Sequence, residues 1–252
     1  MGKVAALLAR ARSVPHFGIG LKRIGFELAE VPKEKPNEDD VLVIWNRLAT
    51  TDPHAKRYEA VGARVIVVEH GWIGKHTYAV CLGQHNGAGW WPVGNVSRWP
   101  IFGIEEKPYR TKGEHILVVP QRGMGIPPVG MPRDWLEKTL PQLEKATNRP
   151  IMVKHPASRE EAVEPYFKDC HATLIWASGA GIKSIVAGCP VFYGMEAWIG
   201  RMAASPLELA DLEYPNTDPW QRHYMLHRLS WAMWLPHEIE SGEPFERLLD
   251  AR

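Results

Sequence analysis

The sequence is poor in cysteine, which argues against a protein stabilised by disulfide bonds and against one stabilised by a zinc site. Its three cysteines, at positions 81, 170 and 189, are odd in number and widely separated, so they do not form a disulfide framework. They also lack the CxxC or Cys/His spacing of a zinc site. We therefore expect a protein of a reducing compartment that carries no zinc.

The chain also lacks an excess of charge and a long apolar segment. Its formal net charge is +1 over 252 residues, which excludes a basic field over the whole surface but not a local basic patch. No apolar run approaches the roughly 20 residues of a membrane span. The apolar stretch 4–8 is too short for a signal peptide and is soon followed by arginines. We expect a cytoplasmic protein.

Several nucleotide and metal motifs are missing as well. There is no GxxxxGK[ST] sequence, which argues against a P-loop NTPase, and no GxGxxG follows the first predicted strand. No DxD motif or paired carboxylates indicate a catalytic metal. Ordinary dinucleotide binding and metal-dependent phosphate chemistry are thus not indicated.

The most informative segment that is present is residues 172–194. An apolar run, 174–176, precedes a turn of small residues, 178–181, in which Ser178 suits the N-cap of a helix that ends at Gly188. Exposed N–H groups and the helix dipole at such a turn favour a phosphate. Small residues that simply pack a helix against a sheet explain this segment equally well, and the alternative stays open.

Alternating strands and helices predict an α/β fold with two Rossmann-like units that face a cleft. Buried-type strands are expected at 41–45, 64–68, 116–119 and 151–153, and helices at 2–12, 20–30, 53–61, 132–146, 219–235 and 244–249. We predict an N-terminal unit 1–112, a second unit 113–218, and C-terminal helices 219–252 that pack back on the first unit.

Polar and glycine residues follow five of the predicted strands. These strand ends are 46–47, 69–71, 121–123, 154–156 and 178–181. Because ligands of open α/β sheets bind beyond the carboxyl ends of the strands, the five ends point to one cleft. This convergence carries more weight than any single motif.

The strand ends of the second unit suit the phosphates of a nucleotide. The candidate phosphate ligands are Arg122, Gly123, Lys154, His155, Ser178, Gly179, Ala180 and Gly181. Each charged residue alone is more typical of a solvated loop, and only the set favours a diphosphate.

The first unit contains candidates for acid–base chemistry and for binding an acceptor. Glu69 suits a general base, with His70 or His85 as substitutes. The candidate acceptor ligands are Asn46, Arg47, Trp72, Asn86, Trp90 and Trp91. Ion pairing in a loop explains Glu69 equally well, Asn86 suits a turn, and Trp90, Trp91 and Trp99 serve either as a stacking platform or to fix the long loop 71–112 to the core.

Residues 172–194 resemble the C-terminal half of two-domain GT-B glycosyltransferases, most closely those linked to capsular polysaccharide. The matching positions are Ser178, Gly188, Pro190 and Val191, and 154–156 resembles a Lys-x-His-Pro element. Where these enzymes have an acid that binds the donor ribose, this chain has Lys183, which we expect to meet phosphate instead. The resemblance implies a nucleotide-sugar donor, with UDP-glucose as our expectation.

The first unit resembles small glycosyltransferase-like proteins of bacteriophages in segments 69–74, 85–87, 91–94 and 121–123. Some phage enzymes of this architecture glycosylate hydroxymethylated pyrimidines in DNA. The resemblance therefore implies hexose transfer to hydroxymethylcytosine in double-stranded DNA, in the host cytoplasm if the protein is phage-encoded. It implies no obligatory cofactor, and it leaves open a divalent metal, a capsule-type polysaccharide acceptor or a non-catalytic nucleotide-sugar-binding module.

Overall fold

The computed structural model describes residues 2–74, 76–155 and 162–250 and divides the chain into two compact units. Unit 1 comprises Met1–Arg98 and Arg228–Arg252, and unit 2 comprises Trp99–His227. The predicted division at 112/113 and 218/219 differs from this one at both boundaries. Pro156, the last residue of the predicted 154–156 element, lies outside the described residues.

The secondary structure alternates between strands and helices along most of the chain. The strands are β1 (Val4–Leu7), β2 (Glu27–Ala29), β3 (Val41–Trp45), β4 (Arg64–His70), β5 (Tyr78–Leu82), β6 (His115–Val119), β7 (Ile151–Val153), β8 (Cys170–Ile175), β9 (Val191–Tyr193), β10 (Ser205–Pro206) and β11 (Met233–Trp234). The α-helices are α1 (Pro15–Arg23), α2 (Asp52–Glu59), α3 (Trp135–Ala146), α4 (Gly179–Val186), α5 (Pro219–Ser230), α6 (Pro236–Ser241) and α7 (Glu243–Asp250).

The sheet of unit 1 has the strand order β11-β5-β4-β3-β1-β2. Strands β2, β1, β3 and β4 are parallel. At one side, β5 pairs antiparallel with β4, and β11 pairs antiparallel with β5. Every side chain of β3 is buried, as expected for a central parallel strand covered on both faces. The C-terminal segment joins this sheet through β11, where Met233 pairs with Ala79 and Trp234 with Tyr78.

The sheet of unit 2 is entirely parallel, with the order β10-β9-β8-β6-β7. Strand β6, which lies between β8 and β7, is buried along its whole length. One mixed sheet with four adjacent parallel strands and one entirely parallel sheet, with helices between successive parallel strands, confirm the predicted α/β class with two Rossmann-like units.

The predicted helix at 2–12 is wrong. Residues Val4–Leu7 form β1, and only Ala9–Ala11 make a short 3₁₀ helix. Ala5 and Ala6 are completely buried between β2 and β3. A short run of small apolar residues fits a helix and a buried parallel strand equally well, so pairing with neighbouring strands decided the outcome.

Other boundaries also moved, while several predicted elements are confirmed. The strands at 41–45 and 64–68 and the helix at 53–61 are present as β3, β4 and α2. The predicted helix at 20–30 is shifted, since α1 ends at Arg23 and β2 follows it. The predicted helix at 219–235 ends at Ser230, after which the chain forms β11.

Close packing in unit 1 explains one helical glycine. A Cβ atom at Gly20 of α1 would lie 1.9 Å from the carbonyl oxygen of Ile239 in α6. No other residue permits so close an approach, so Gly20 lets α1 pack directly on the C-terminal helices.

Candidate functional site

In unit 1, three adjacent parallel strands end at the same edge of the sheet, because β1, β3 and β4 are neighbours. Their carboxyl ends therefore bring together residues that are distant in sequence. Asn46 and Arg47 follow β3, and Glu69 and His70 close β4. We call this set the unit 1 edge.

Glu69 is a buried carboxyl group at the unit 1 edge. Its Oε1 accepts a hydrogen bond of 2.7 Å from the backbone N–H of Asn86, and the Trp72 side chain donates another. Burial raises the pKa of Glu69 to about 8, against which these two hydrogen bonds act. The carboxyl group thus changes its charge near neutral pH, as a general base or acid requires.

His70 and His85 each use one ring nitrogen to accept a hydrogen bond. His85, which is buried, accepts from the backbone N–H of Arg47 through Nδ1 at 3.1 Å. His70, which is exposed, accepts from the guanidinium of Arg10 through Nε2 at 2.5 Å. Because backbone N–H and guanidinium groups only donate, a neutral ring carries its proton on the other nitrogen and has no basic nitrogen left. Glu69 is the better candidate for a base.

Asn46 has the left-handed backbone conformation, with a φ of 54°, directly after β3. Its backbone N–H donates to the carbonyl of Val68 at 3.0 Å, which extends the pairing of β3 with β4. Its Oδ1 is buried and has no hydrogen-bond partner among the residues that the structure describes. A buried acceptor without a donor is costly, and it is suited to a hydroxyl or amine of a ligand.

Arg47, in contrast, is held by internal partners. Its guanidinium donates to Asp52 at 2.7 Å and to Glu59 at 2.6 Å, and a third bond reaches the carbonyl of Gly83. The hydrogen bond that Arg47 donates to Glu59 raises the pKa of Arg47. These contacts fasten the start of α2 and the loop after β5, so the geometry gives the predicted acceptor role of Arg47 no support.

The predicted tryptophan platform is wrong for two of its members. Trp91 and Trp99 are buried, and their indole N–H groups bond to the Arg228 carbonyl at 3.0 Å and to Glu106 at 2.9 Å. The alternative, in which they fix the long loop to the core, is correct. Trp72 is also buried, whereas Trp90 is 51% exposed and keeps a face for stacking.

In unit 2, the adjacent strands β7, β6 and β8 end at one edge, which we call the unit 2 edge. Arg122 and His155 are exposed after β6 and β7. Gln121 joins two of the strand ends, since its Oε1 accepts from the backbone N–H of Ala177 at 3.2 Å. Gly123 has a φ of 65°, which only glycine adopts readily, so the chain turns sharply after Arg122.

Two backbone N–H groups of the turn at 178–181 already donate hydrogen bonds to atoms of the same turn. Ser178 is the N-cap of α4, and its Oγ accepts from the N–H of Ala180 at 3.1 Å. The N–H of Gly181 donates to the Ser178 carbonyl at 3.0 Å. A Cβ at Gly181 would lie 2.5 Å from Ile175 and 2.6 Å from Trp198. Packing of the helix against its neighbours, the alternative to phosphate binding, thus explains the glycine at 181. Ser178 and Gly179 remain candidate phosphate ligands.

Both predicted lysines of unit 2 contact one short 3₁₀ helix, Glu164–Phe167. The Nζ of the buried Lys154 lies 5.4 Å from the ring centre of Tyr166. The Nζ of Lys183 lies 2.8 Å from Oε1 of Glu164. Although partial burial opposes it, the hydrogen bond from Lys183 lowers the pKa of Glu164. Lys183 therefore pairs with the carboxylate of Glu164, where we expected it to contact phosphate.

The sequence analysis assigned no role to Arg10 or Glu164, and it named Gln121 only as part of the strand end 121–123. Arg10 follows β1, a segment whose sequence predicts a helix, so Arg10 is not among the residues expected after strands. Within the described ranges, no group of three or more His, Cys, Asp or Glu side chains is placed to hold a metal ion. No helix in the same part of the chain is both long enough and apolar enough to cross a bilayer.

The sequence matches no protein-family model and no curated protein. The structure is similar to two solved structures of Thermosulfurimonas dismutans KpsC. The beta Kdo 2,7 transferase has a TM-score of 0.53 at 13% identity, over 90% of this chain and 89% of that one. The beta Kdo 2,4 transferase has a TM-score of 0.52 at 13% identity, over 90% of this chain and 98% of that one. The chain has the GT-B-like fold of these transferases, with its two Rossmann-like units.

Proposed function

We propose that the protein is a nucleotide-sugar-dependent glycosyltransferase that transfers a sugar to a hydroxyl group of an acceptor. The observation that carries the proposal is Glu69, a buried carboxyl group at a strand end of a GT-B-like chain, with a pKa raised to about 8. Burial of a carboxyl group has an energetic cost, and such perturbed groups concentrate at functional sites.

In the proposed reaction, ionised Glu69 takes the proton from the acceptor hydroxyl as that oxygen attacks the anomeric carbon of the donor. The hydrogen bonds from Asn86 and Trp72 hold the carboxylate in one orientation. The unsatisfied Oδ1 of Asn46, on the neighbouring strand, accepts a hydrogen bond from a second polar group of the acceptor. Trp90 offers its exposed face to a ring.

The donor binds at the unit 2 edge in this proposal. Arg122, His155 and the first turn of α4 follow three adjacent strands, which supports a shared diphosphate site. Cations and helix N–H groups stabilise the leaving nucleotide as negative charge develops on it. In this proposal Lys154, buried near the Tyr166 ring, adds positive charge to the site, and Lys183 fixes the position of Glu164 through their ion pair.

For the acceptor we propose 5-hydroxymethylcytosine in double-stranded DNA, with UDP-glucose as donor. The resemblance of segments 69–74 and 85–87 to phage proteins supports this choice. Both solved structures are described as Kdo transferases, which makes a polysaccharide hydroxyl the second candidate.

Nucleotide binding is the first test, because it does not depend on the acceptor. Isothermal titration with UDP, CMP, GDP and ADP should show binding of one nucleotide. The same nucleotide should raise the free energy of unfolding by about 2.7 kcal/mol at about 100 times its Kd. A chain that binds none of these nucleotides or their sugars has no donor site, and the proposal fails.

Transfer is the second test. The protein is incubated with UDP-glucose and with DNA that contains hydroxymethylcytosine, and the nucleosides are analysed by mass spectrometry. Unmodified DNA and a capsule-type oligosaccharide are parallel acceptors that separate the two candidates. Glu69→Gln should lower the rate of transfer by about 10²–10⁴, whereas Glu34→Gln, at an exposed residue of unit 1, should leave it unchanged. If the wild type binds a nucleotide but transfers no sugar, and Glu69→Ala binds that nucleotide with unchanged affinity, the protein is a non-catalytic nucleotide-sugar-binding module.

A further inference from the structure

Arg10 lies at the unit 1 edge and takes no part in the chemistry described above. It belongs to the 3₁₀ helix Ala9–Ala11, directly after β1. Because β1 neighbours β3, Arg10 reaches the same edge of the sheet as Asn46 and His70.

Two aromatic side chains from other strand ends hold the guanidinium of Arg10. Its Cζ lies 4.3 Å from the ring centre of Trp45, the last residue of β3. One of its N–H groups donates to Nε2 of His70, the last residue of β4, at 2.5 Å. Stacking occupies a face of the planar group and leaves its N–H donors at the edge, so the position of the charge is defined by three strand ends.

The charge of Arg10 is not neutralised within the part of the chain that the structure describes. Arg12, Arg47 and Arg98 each form an ion pair with a carboxylate, at 3.0, 2.7 and 2.6 Å respectively. Arg10 has a neutral acceptor and an aromatic ring instead, and no carboxylate partner. A fixed guanidinium with donors to spare is a site for a planar or tetrahedral oxyanion.

We propose that Arg10 binds an oxyanion, a carboxylate or phosphate group, carried by the acceptor, and thereby positions the acceptor hydroxyl at Glu69. The inference rests on the proposed function for the identity of the acceptor, but anion binding at Arg10 is testable without it. His70 is a positioning residue in this arrangement, since its Nε2 orients the guanidinium.

The direct test is nuclear magnetic resonance of the arginine side chains. Protein labelled with ¹⁵N-arginine is titrated with inorganic phosphate and, separately, with acetate, at constant ionic strength kept with chloride. The Nε–Hε resonance of Arg10, assigned by its loss in Arg10→Lys, should shift and saturate with one or both anions. That of Arg23, an exposed arginine of α1, should not. Equal, non-saturating shifts at Arg10 and Arg23 would overturn the proposal.

The two probes also separate the sources of the oxyanion. Saturation by phosphate alone indicates a phosphorylated or phosphodiester acceptor, and saturation by acetate alone indicates an acidic sugar. Once an acceptor is known, Arg10→Lys should raise its KM about tenfold with a smaller change in kcat, because the forked donor is lost while the charge remains. The matched Arg23→Lys variant should leave KM unchanged.

Failure of this inference is distinguishable from failure of the proposed function. Arg10→Met should bind the nucleotide as tightly as the wild type, because Arg10 belongs to unit 1 and the proposed donor ligands belong to unit 2. If nucleotide binding and transfer persist while Arg10 ignores both anions and Arg10→Lys leaves KM unchanged, this inference alone is wrong. Circular dichroism of both Arg10 variants checks that they fold.

Discussion

At the unit 1 edge the ionisable side chains are mostly buried and hydrogen-bonded, whereas at the unit 2 edge Arg122 and His155 lie open to solvent. Glu69 illustrates the first environment, in which desolvation moves a pKa into the neutral range. The difference teaches that equivalent positions after parallel strands serve different chemistry. A buried edge tunes proton transfer, and an exposed cationic edge suits a charged ligand that arrives from water.

The strongest test of this difference is the activity of Glu69→Gln. We expect kcat to fall by about 10²–10⁴, the usual worth of a general base. In the wild type, kcat should rise with pH, reach half of its maximum near pH 8 and level off about one unit higher, since the carboxyl group must be ionised to accept a proton. Steady-state rates from pH 6 to 9 provide the measurement, and an unaltered profile in the variant would assign the base elsewhere.

The ion pairs of the two units should also differ in how much each one stabilises the fold. Arg98 and Glu238 form a buried pair in unit 1, with Oε1 2.6 Å from the guanidinium, which also lies 4.0 Å from the Trp234 ring centre. Glu238→Gln should lower the free energy of unfolding by about 3–5 kcal/mol, because a buried charge loses its partner. The more exposed pair of Arg149 and Glu213 in unit 2 is the matched control, and Glu213→Gln should cost at most about 1 kcal/mol. Urea unfolding measures both, and equal losses would contradict the contrast.

The stability of the wild type should depend on pH through Glu69. Its folded pKa of about 8 lies above the ordinary value of 4.5, so the folded state retains a proton that the unfolded chain releases. This contribution to stability is complete below pH 4.5 and declines as the pH rises to about 8, by about 1.4 kcal/mol per unit. Glu69→Gln does not titrate and should gain stability relative to the wild type over that window. Unfolding curves at pH 5, 6.5 and 8 reveal it, and parallel behaviour of the two proteins would mean that Glu69 is ionised throughout.

The packing at α4 gives a smaller effect. Gly181→Ala should destabilise the protein by about 1–3 kcal/mol, because its Cβ meets Ile175 and the rigid ring of Trp198. Gly18→Ala in α1 is the control, since its Cβ meets only the end of the Leu28 side chain at 3.0 Å. Thermal unfolding compares them. A harmless Gly181→Ala that also abolishes nucleotide binding would favour a direct role in phosphate contact over packing.

The smallest expected effect concerns the exposed cation of unit 2. Arg122→Ala should weaken nucleotide binding about tenfold, the worth of one charge-assisted hydrogen bond. Arg133→Ala removes another exposed arginine of unit 2 and should leave the affinity unchanged. Calorimetry that finds no difference between the two variants would remove Arg122 from the donor site.

The sequence predicted the unit 1 edge better than the individual roles of its residues. The sequence analysis names Asn46, Glu69, His85 and Asn86 as candidates. In the structure the backbone N–H of Asn86 donates to Glu69, and that of Arg47, the residue after Asn46, donates to His85. Runs such as 41–45 have the unbroken apolar pattern of a buried parallel strand, and polar residues that follow them stand out. This rule finds positions, but it does not reveal which side chain pairs with which.

Burial and pairing were not predictable from local pattern. Trp90 and Trp91 are neighbours in sequence, yet one is exposed and the other is buried against the carbonyl of Arg228, 137 residues away. Lys183 differs from its expected role because Glu164, 19 residues earlier, lies beside it. Such contacts depend on long-range packing, which a single sequence does not encode in any short window.

The sequence by itself determined the α/β class, the small-residue turn after β8 and the polar residues that end β3 and β4, because strand and helix periodicity and turn chemistry are local properties. Only the tertiary structure decided that residues 4–7 are a strand, that Arg10 therefore stands at the unit 1 edge, and that Glu69 is buried enough to titrate near pH 8. The reason is that strand pairing and desolvation depend on neighbours that the fold brings together from distant parts of the chain.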